Sequence, residues 1–272
     1  MKEREGSQGL PDDPSRRRVL VSLVGVSGTV LVGCTADQLG TAPAMLVSPQ
    51  QERQLGLETW ERILKEEPRS SDSALQRRLE TIGARVVEAS GTREPNWEFA
   101  VLKSRQVNAF AVPGGKVAFY EGIFPMFEND DQLATVMGHE VGHINARHGA
   151  QRIGAATAAQ IGLQAVSAAL QAGNIAYANQ IAGLLGAGVQ YGVILPYSRA
   201  HEYEADRLGV DYMARAGYAP QQAVAFWQNM TTASQGQKPP EFMSTHPSDA
   251  NRIAQLQALM PAAMQTYEQN RA

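Results

Sequence analysis

The sequence predicts an α+β fold, mainly helical, with its helices gathered around one small antiparallel sheet. Three observations carry this. Apolar residues recur at helical spacing in long stretches that open on capping residues. Extended runs are confined to about residues 97–120, with alternation clearest at Trp97, Phe99 and Val101. The 272 residues are 43% hydrophobic and 19% charged, enough for a domain with a real core. The net charge of −3 argues against a general nucleic-acid-binding surface, so no nucleic-acid partner is expected. A single cysteine, Cys34, excludes an intramolecular disulfide, Cys-based zinc fingers and iron–sulfur clusters.

The chain opens on a targeting pattern. Residues 1–18 are polar and end in Arg16, Arg17 and Arg18, and residues 19–32 form an uncharged run. That run has the length of a signal h-region and is too short for a comfortable membrane span. It ends in Leu31-Val32-Gly33-Cys34, which looks like the lipobox of a bacterial lipoprotein. Residues 1–33 are therefore expected to be a lipoprotein signal peptide, with Cys34 lipidated. Residues 34–47 would tether the lipid to a domain at 48–272. Ser15 to Leu20 also resemble a twin-arginine export signal, so that route and an ordinary secretory one both fit. Thr35 after the cysteine leans towards the outer membrane if the cell is Gram-negative.

Within the domain, Ser48-Pro49-Gln50-Gln51 starts a helix to about Glu67. A second runs from about Asp72 to Ala89, with Leu75, Leu79, Ile82 and Val86 on one face. Trp97, Phe99 and Val101 alternate as a strand with one buried face. Residues 107–120 read as a hairpin around Pro113-Gly114-Gly115. Asn129 caps a helix to about His148. Ser198 starts another that stops at Gly217, and Pro220 opens one to about Met230. Residues 233–247 read as a loop, and Ser248 caps a last main helix ending before Pro261. From Ile153 to Ser198 there is no charged residue. That segment reads first as small-residue helices packed on the domain. The second reading is a surface in contact with membrane or membrane proteins.

The chemistry starts at His139-Glu140-Val141-Gly142-His143, an H-E-x-x-H pattern. Residues four apart share a helix face, so both imidazoles reach one zinc ion. Glu140 is offset towards a water on the metal rather than towards the metal. A catalytic zinc needs a third protein ligand and an open fourth position. Glu202 and Asp206, four apart on a separate helix, offer one carboxylate for the metal and one to accept a histidine N–H. His201 competes as a ligand but lies about 100° round the helix from Glu202. Glu204 faces elsewhere, towards solvent. His148 lies about 140° from His143, so it is expected to pack or hydrogen-bond nearby.

H-E-x-x-H followed by the Ser198-Arg199-x-x-Glu202-x-x-Ala205-Asp206 pattern resembles gluzincin metallopeptidases of the HtpX and CAAX-prenyl-protease type. The string Gly138 to Gly149 is similar to their soluble periplasmic lipoprotein branch, the LoiP- and BepA-like protease domains. Residues 107–115 resemble that family's active-site edge strand and turn. Ser244-Thr245-His246-Pro247, with Arg252, resembles its C-terminal motif. The resemblance runs from about Ser48 to Leu259. It lacks the transmembrane helices of the HtpX and prenyl-protease branches, so a prenylated substrate is not implied. A helical repeat domain like that of BepA is not expected in a sequence that stops at Ala272.

The resemblance implies a zincin-type metalloprotease domain with one Zn2+ on His139, His143 and Glu202, and Glu140 as general base. Asp206 would orient a ligating histidine, and His246 would stabilise the oxyanion, with Arg252 supporting its loop. Asn108, Ala109, Phe110 and Ala111 would pair with substrate backbone. His246, in a loop with Pro239, Pro240 and Pro247, has two places open to it. It stands off the metal as an oxyanion donor, or it swings onto zinc as a self-inhibiting latch. The function expected is a lipid-anchored endopeptidase at the periplasmic face of the cell envelope. Its substrates would be misfolded or misassembled envelope proteins. The alternative is a non-catalytic, zinc-containing chaperone or assembly factor for such proteins.

Overall fold

The computed structural model describes residues 48–155, 164, 165, 168, 171, 198–233, 240–247 and 250–271. The backbone divides the chain into Met1–Pro43 and Ala44–Ala272, and every described residue belongs to the second unit. The signal segment, Cys34 and the tether lie outside the described residues. So does most of the uncharged segment, although Gln164, Ala165, Ala168 and Gln171 are helical. Among the described residues no helix is long and apolar enough to cross a membrane.

Helix α1, Pro49–Glu66, opens on the capping box that its first residues spell out. Gln51 N–H donates to Ser48 Oγ, and Ser48 N–H donates to Gln51 Oε1 at 3.0 Å. Helix α2, Ser73–Ser90, is capped by Asp72 and buries Leu79, Ile82 and Val86. Three strands follow: β1 (Glu98–Leu102), β2 (Ala109–Val112) and β3 (Lys116–Tyr120).

The sheet is mixed rather than antiparallel, with order β1-β3-β2. β2 and β3 form the expected hairpin, turning through Gly114 and Gly115 at φ 89° and 74°. β1 pairs with β3 in parallel. The short 103–108 connection starts β2 at the end where β1 stops. β2 therefore runs back, and β3 runs in β1's direction. β3 takes the centre because it is apolar on both faces and all five of its residues are buried. Val117 and Phe119 join the main core, while Ala118 and Tyr120 pack with Trp60 of α1. β2, only partly buried, is left at the edge.

A 3₁₀ helix at Glu121–Met126, absent from the sequence reading, leads to α3, Asp130–Asn145. Asn129 caps α3 as expected, but the helix stops before His148. Arg147 has φ 56°, a left-handed break, and helical structure resumes over 148–155. Helix α4, Arg199–Arg215, starts at the Ser198 cap. α3 and α4 nearly touch. A Cβ on Gly138 would lie 2.7 Å from Gly209 O, and one on Gly142 would lie 2.9 Å from Ala205 O. Only glycine at these points allows that approach.

Helix α5, Gln221–Ala233, starts beside Pro220. Two later expectations are corrected. The 233–247 loop contains a short helix, α6, at Glu241–Thr245. The last helix, α7, runs from Ala250 to Asn270, straight through Pro261. Buried Leu256 and Ala263 on either side of the proline hold α7 against the domain despite the lost backbone bond.

Candidate metal centre

His139 and His143, one turn apart on α3, face α4. The close α3–α4 approach brings Glu202 to both rings, and the segment after α6 adds His246. One ligand atom from each of these four buried residues lies within 4.8 Å of the others. His139 Nε2 is 3.0 Å from His143 Nε2 and 3.1 Å from His246 Nδ1. Glu202 Oε2 is 3.4 Å from His139 Nε2, and Glu202 Oε1 is 3.5 Å from His143 Nε2. Three imidazole nitrogens and a carboxylate converging on one buried point form a nitrogen–oxygen donor set that fits a cation at their centre.

Burial and mutual charge push the ionisable groups of the cluster in opposite directions. Burial pushes His139 down, but the Glu202 and Asp206 carboxylates outweigh it and hold the imidazole up at about 9. Burial and the neighbouring His139 charge push His143 well below the usual histidine range. Burial pushes Glu202 up, and the His246 and His139 charges pull it well below the usual carboxylate range. Glu140 is raised by burial, partly offset by His246 and His139. Its Oε1 has no hydrogen-bond partner and lies 3.3 Å from His246 Nε2.

Behind the donors stands a ring of buried charge. Asp206 Oδ1 lies 2.8 Å from His139 Nδ1. Arg252 donates from Nε and Nη2 to Asp206 at 2.6 and 2.8 Å, and its Nη1 lies 2.9 Å from Glu202 Oε2. The same guanidinium donates to the carbonyls of His246 and Pro247, and it lies 3.6 Å over the Trp227 ring. Arg252 thus ties α4 to the His246 segment.

Of the residues singled out in the sequence, His139, Glu140, His143, Glu202, Asp206, His246 and Arg252 come together. His201 does not join the donors; its Nε2 meets Gln151 Oε1 at 2.9 Å. His148 packs beside His143, as expected. Glu204 faces away from the donors and is 47% exposed, as expected; its Oε2 also sits 3.2 Å from His148 Nε2. Residues 108–111 lie at the sheet edge. Tyr120 N–H donates to Asn108 C=O, so by strand alternation Ala109 and Ala111 turn their backbone groups outward. The Ala111 backbone N–H is close enough to lower the Glu140 carboxylate, which puts the edge strand near the cluster. The sequence reading missed Trp227, which no pattern marks. It also missed the paired spacings Gly138/Gly142 and Ala205/Gly209, which were visible as small residues four apart.

Residues 73–260 match Peptidase family M48. The chain belongs to this family. Among its M48 relatives is the mitochondrial metalloendopeptidase OMA1 of Schizosaccharomyces pombe, 36% identical over 66% of this chain and 51% of that protein. The beta-barrel assembly-enhancing protease of Yersinia pestis is 32% identical over 84% of this chain and 49% of that protein. The protein of the same name from Escherichia coli K12 is 29% identical over 81% and 46%. The chain spans about half the length of these curated relatives.

Proposed function

We propose that the protein is a zinc-dependent endopeptidase, with zinc on His139, His143 and Glu202. The observation that carries this is Glu140. A buried structural metal site needs no fifth polar group, yet this buried carboxylate sits beside the donors, with Oε1 3.3 Å from His246 Nε2. Bound there, zinc supplies Lewis acidity that activates water near neutral pH. Glu140, buried beside the donors, would take the proton of the attacking water and pass it to the leaving amine. Asp206 holds the His139 ring by its Nδ1. The outward carbonyls of Ala109 and Ala111, with Asn108 and Phe110 flanking, pair with an extended substrate. Backbone pairing favours unfolded segments.

His246 is read as a latch. Its Nδ1 lies 3.1 Å from His139 Nε2 and 3.2 Å from Glu202 Oε1, the place of a fourth ligand. A closed shell leaves no open position for chemistry.

Two relatives are named as proteases that enhance β-barrel assembly, which supports proteins undergoing assembly as the substrate class. We read this chain as a lipoprotein anchored through Cys34 at the periplasmic face, acting on misfolded or misassembled envelope proteins. The mitochondrial relative's name shows that the family is not confined to that place.

Digestion of an unfolded protein, with and without chelator, tests the reading. Glu140→Gln should keep zinc and lose on the order of a hundred- to ten-thousand-fold in turnover. His246→Ala should cleave faster than wild type if it is a latch. A fall of about a hundredfold would instead make it an oxyanion donor. Wild-type protein that binds zinc but never cleaves would favour the chaperone alternative.

A further inference from the structure

His139 and His143 present Nε2 to the same point, but different groups stand behind them. Behind His143, among the described residues, stands an imidazole rather than a carboxylate. His143 Nδ1 lies 2.9 Å from Nδ1 of His148, a fully buried imidazole whose Nε2 lies 3.2 Å from Glu204 Oε2. His201 stacks on His148 with ring centroids 4.4 Å apart and planes at 24°.

A regular helix would not put His148 there. Five residues past His143, it would lie about 140° round the axis. The chain instead leaves α3 at Asn145, passes through Arg147 at φ 56°, and turns helical again at 148. Among the described residues Arg147 is the sole non-glycine with positive φ. Such a conformation persists in a bulky residue only where its surroundings impose it. Here the buried Glu52 of α1 supplies the hold, with Oε2 2.6 Å from Arg147 Nε.

We propose that His148 and Glu204 are positioning residues for His143, brought behind it by the left-handed turn at Arg147. The inference rests on the reading of His143 as a metal ligand. Proton placement makes it specific. A neutral imidazole that offers Nε2 to a metal keeps its proton on Nδ1. His148 Nδ1 therefore accepts that proton's hydrogen bond. His148 in turn carries its own proton on Nε2 and donates to the Glu204 carboxylate. Each proton in the row has one place, and each bond polarises the next towards His143 Nε2. The stacked His201 fixes the plane in which the row lies. The row does for His143, through an intervening ring, what Asp206 does directly for His139.

The test is zinc release. The full chain is loaded with Zn2+ and challenged with excess EDTA, and the thermal midpoint of the metal-free protein is recorded beside it. His148→Phe keeps the ring but removes both nitrogens. It should release zinc about ten- to a hundredfold faster, with the metal-free midpoint unchanged. His148→Asn places an amide oxygen where Nδ1 stood and should recover part of the loss. Glu204→Leu should speed release by about threefold or more, and Glu204→Gln, which keeps an acceptor, by less. If His148→Phe does not fold, the exposed Glu204 pair decides by the same readout. Release from His148→Phe at the wild-type rate would overturn the proposal. So would His148→Asn performing no better than His148→Phe, which would leave only a packing role. Wild-type protein that holds no zinc would overturn the metal reading and this inference with it. Zinc held equally by wild type and variants would overturn this inference alone.

Discussion

His139 and His143 sit one turn apart on the same face of α3, yet their supports are built from different materials. Behind His139 stand a full carboxylate and a guanidinium, both buried, linking α4 to α7. Behind His143 stands a second imidazole, His148, with the half-exposed Glu204 carboxylate at its far end. Buried opposite charges are costly to separate, whereas a buried imidazole and a half-exposed carboxylate cost less to disturb. The His139 side should therefore bear on the stability of the fold, and the His143 side on the hold on metal.

The largest effect that would break this contrast is at Asp206. Asp206→Asn leaves Arg252 buried without its main carboxylate, and metal-free protein should lose about 3–5 kcal/mol. Urea denaturation measures it, and a loss below about 1 kcal/mol would make the two supports alike. A smaller effect is expected at Gly209, which serves both histidines at once. Its Cβ would lie 2.7 Å from Gly138 C and His139 N, so Gly209→Ala must push α4 from α3. A cost of about 1–3 kcal/mol is expected, with faster zinc release as well. A melting curve and an EDTA challenge on one sample show whether both change together. The smallest effect is at Arg147. Glycine adopts the left-handed turn freely, which partly offsets the loss of the pair with buried Glu52, so Arg147→Gly should cost only about 1–2 kcal/mol and keep zinc. Arg147→Val, for which that φ is costly, should release zinc faster; equal release from the two variants would separate the turn from the metal.

Much of this was legible before any coordinates, for local reasons. Ser48, Asp72, Asn129 and Ser198 cap helices by contacts within three residues, so their positions can be read from spacing alone. H-E-x-x-H and the Glu202/Asp206 pair are likewise helical spacings. What escaped was set by distant partners. β1 pairs with β3 because β3 is apolar on both faces, a choice among strands that no single strand reveals. Pro261 stays helical because of packing on either side of it. The break before His148 is held by Glu52, far away on α1, so a reading that carried α3 on to about His148 could not see it. Trp227 has no motif at all; only the folded chain lays Arg252 over it.

That tryptophan has an optical consequence. Trp227 is stacked on Phe242 at 5.5 Å and 16°, lies under the Arg252 guanidinium, and has the His139 ring 6.2 Å from its own. Phe242 and His246 belong to the same short segment, with ring centroids 4.8 Å apart. Any departure of His246 from the donors should disturb that stack and alter the indole's quenching. With Trp60 and Trp97 replaced by phenylalanine, the emission of Trp227 becomes a native reporter of whether the centre is closed or open. It could be read in solution, in real time, without a label.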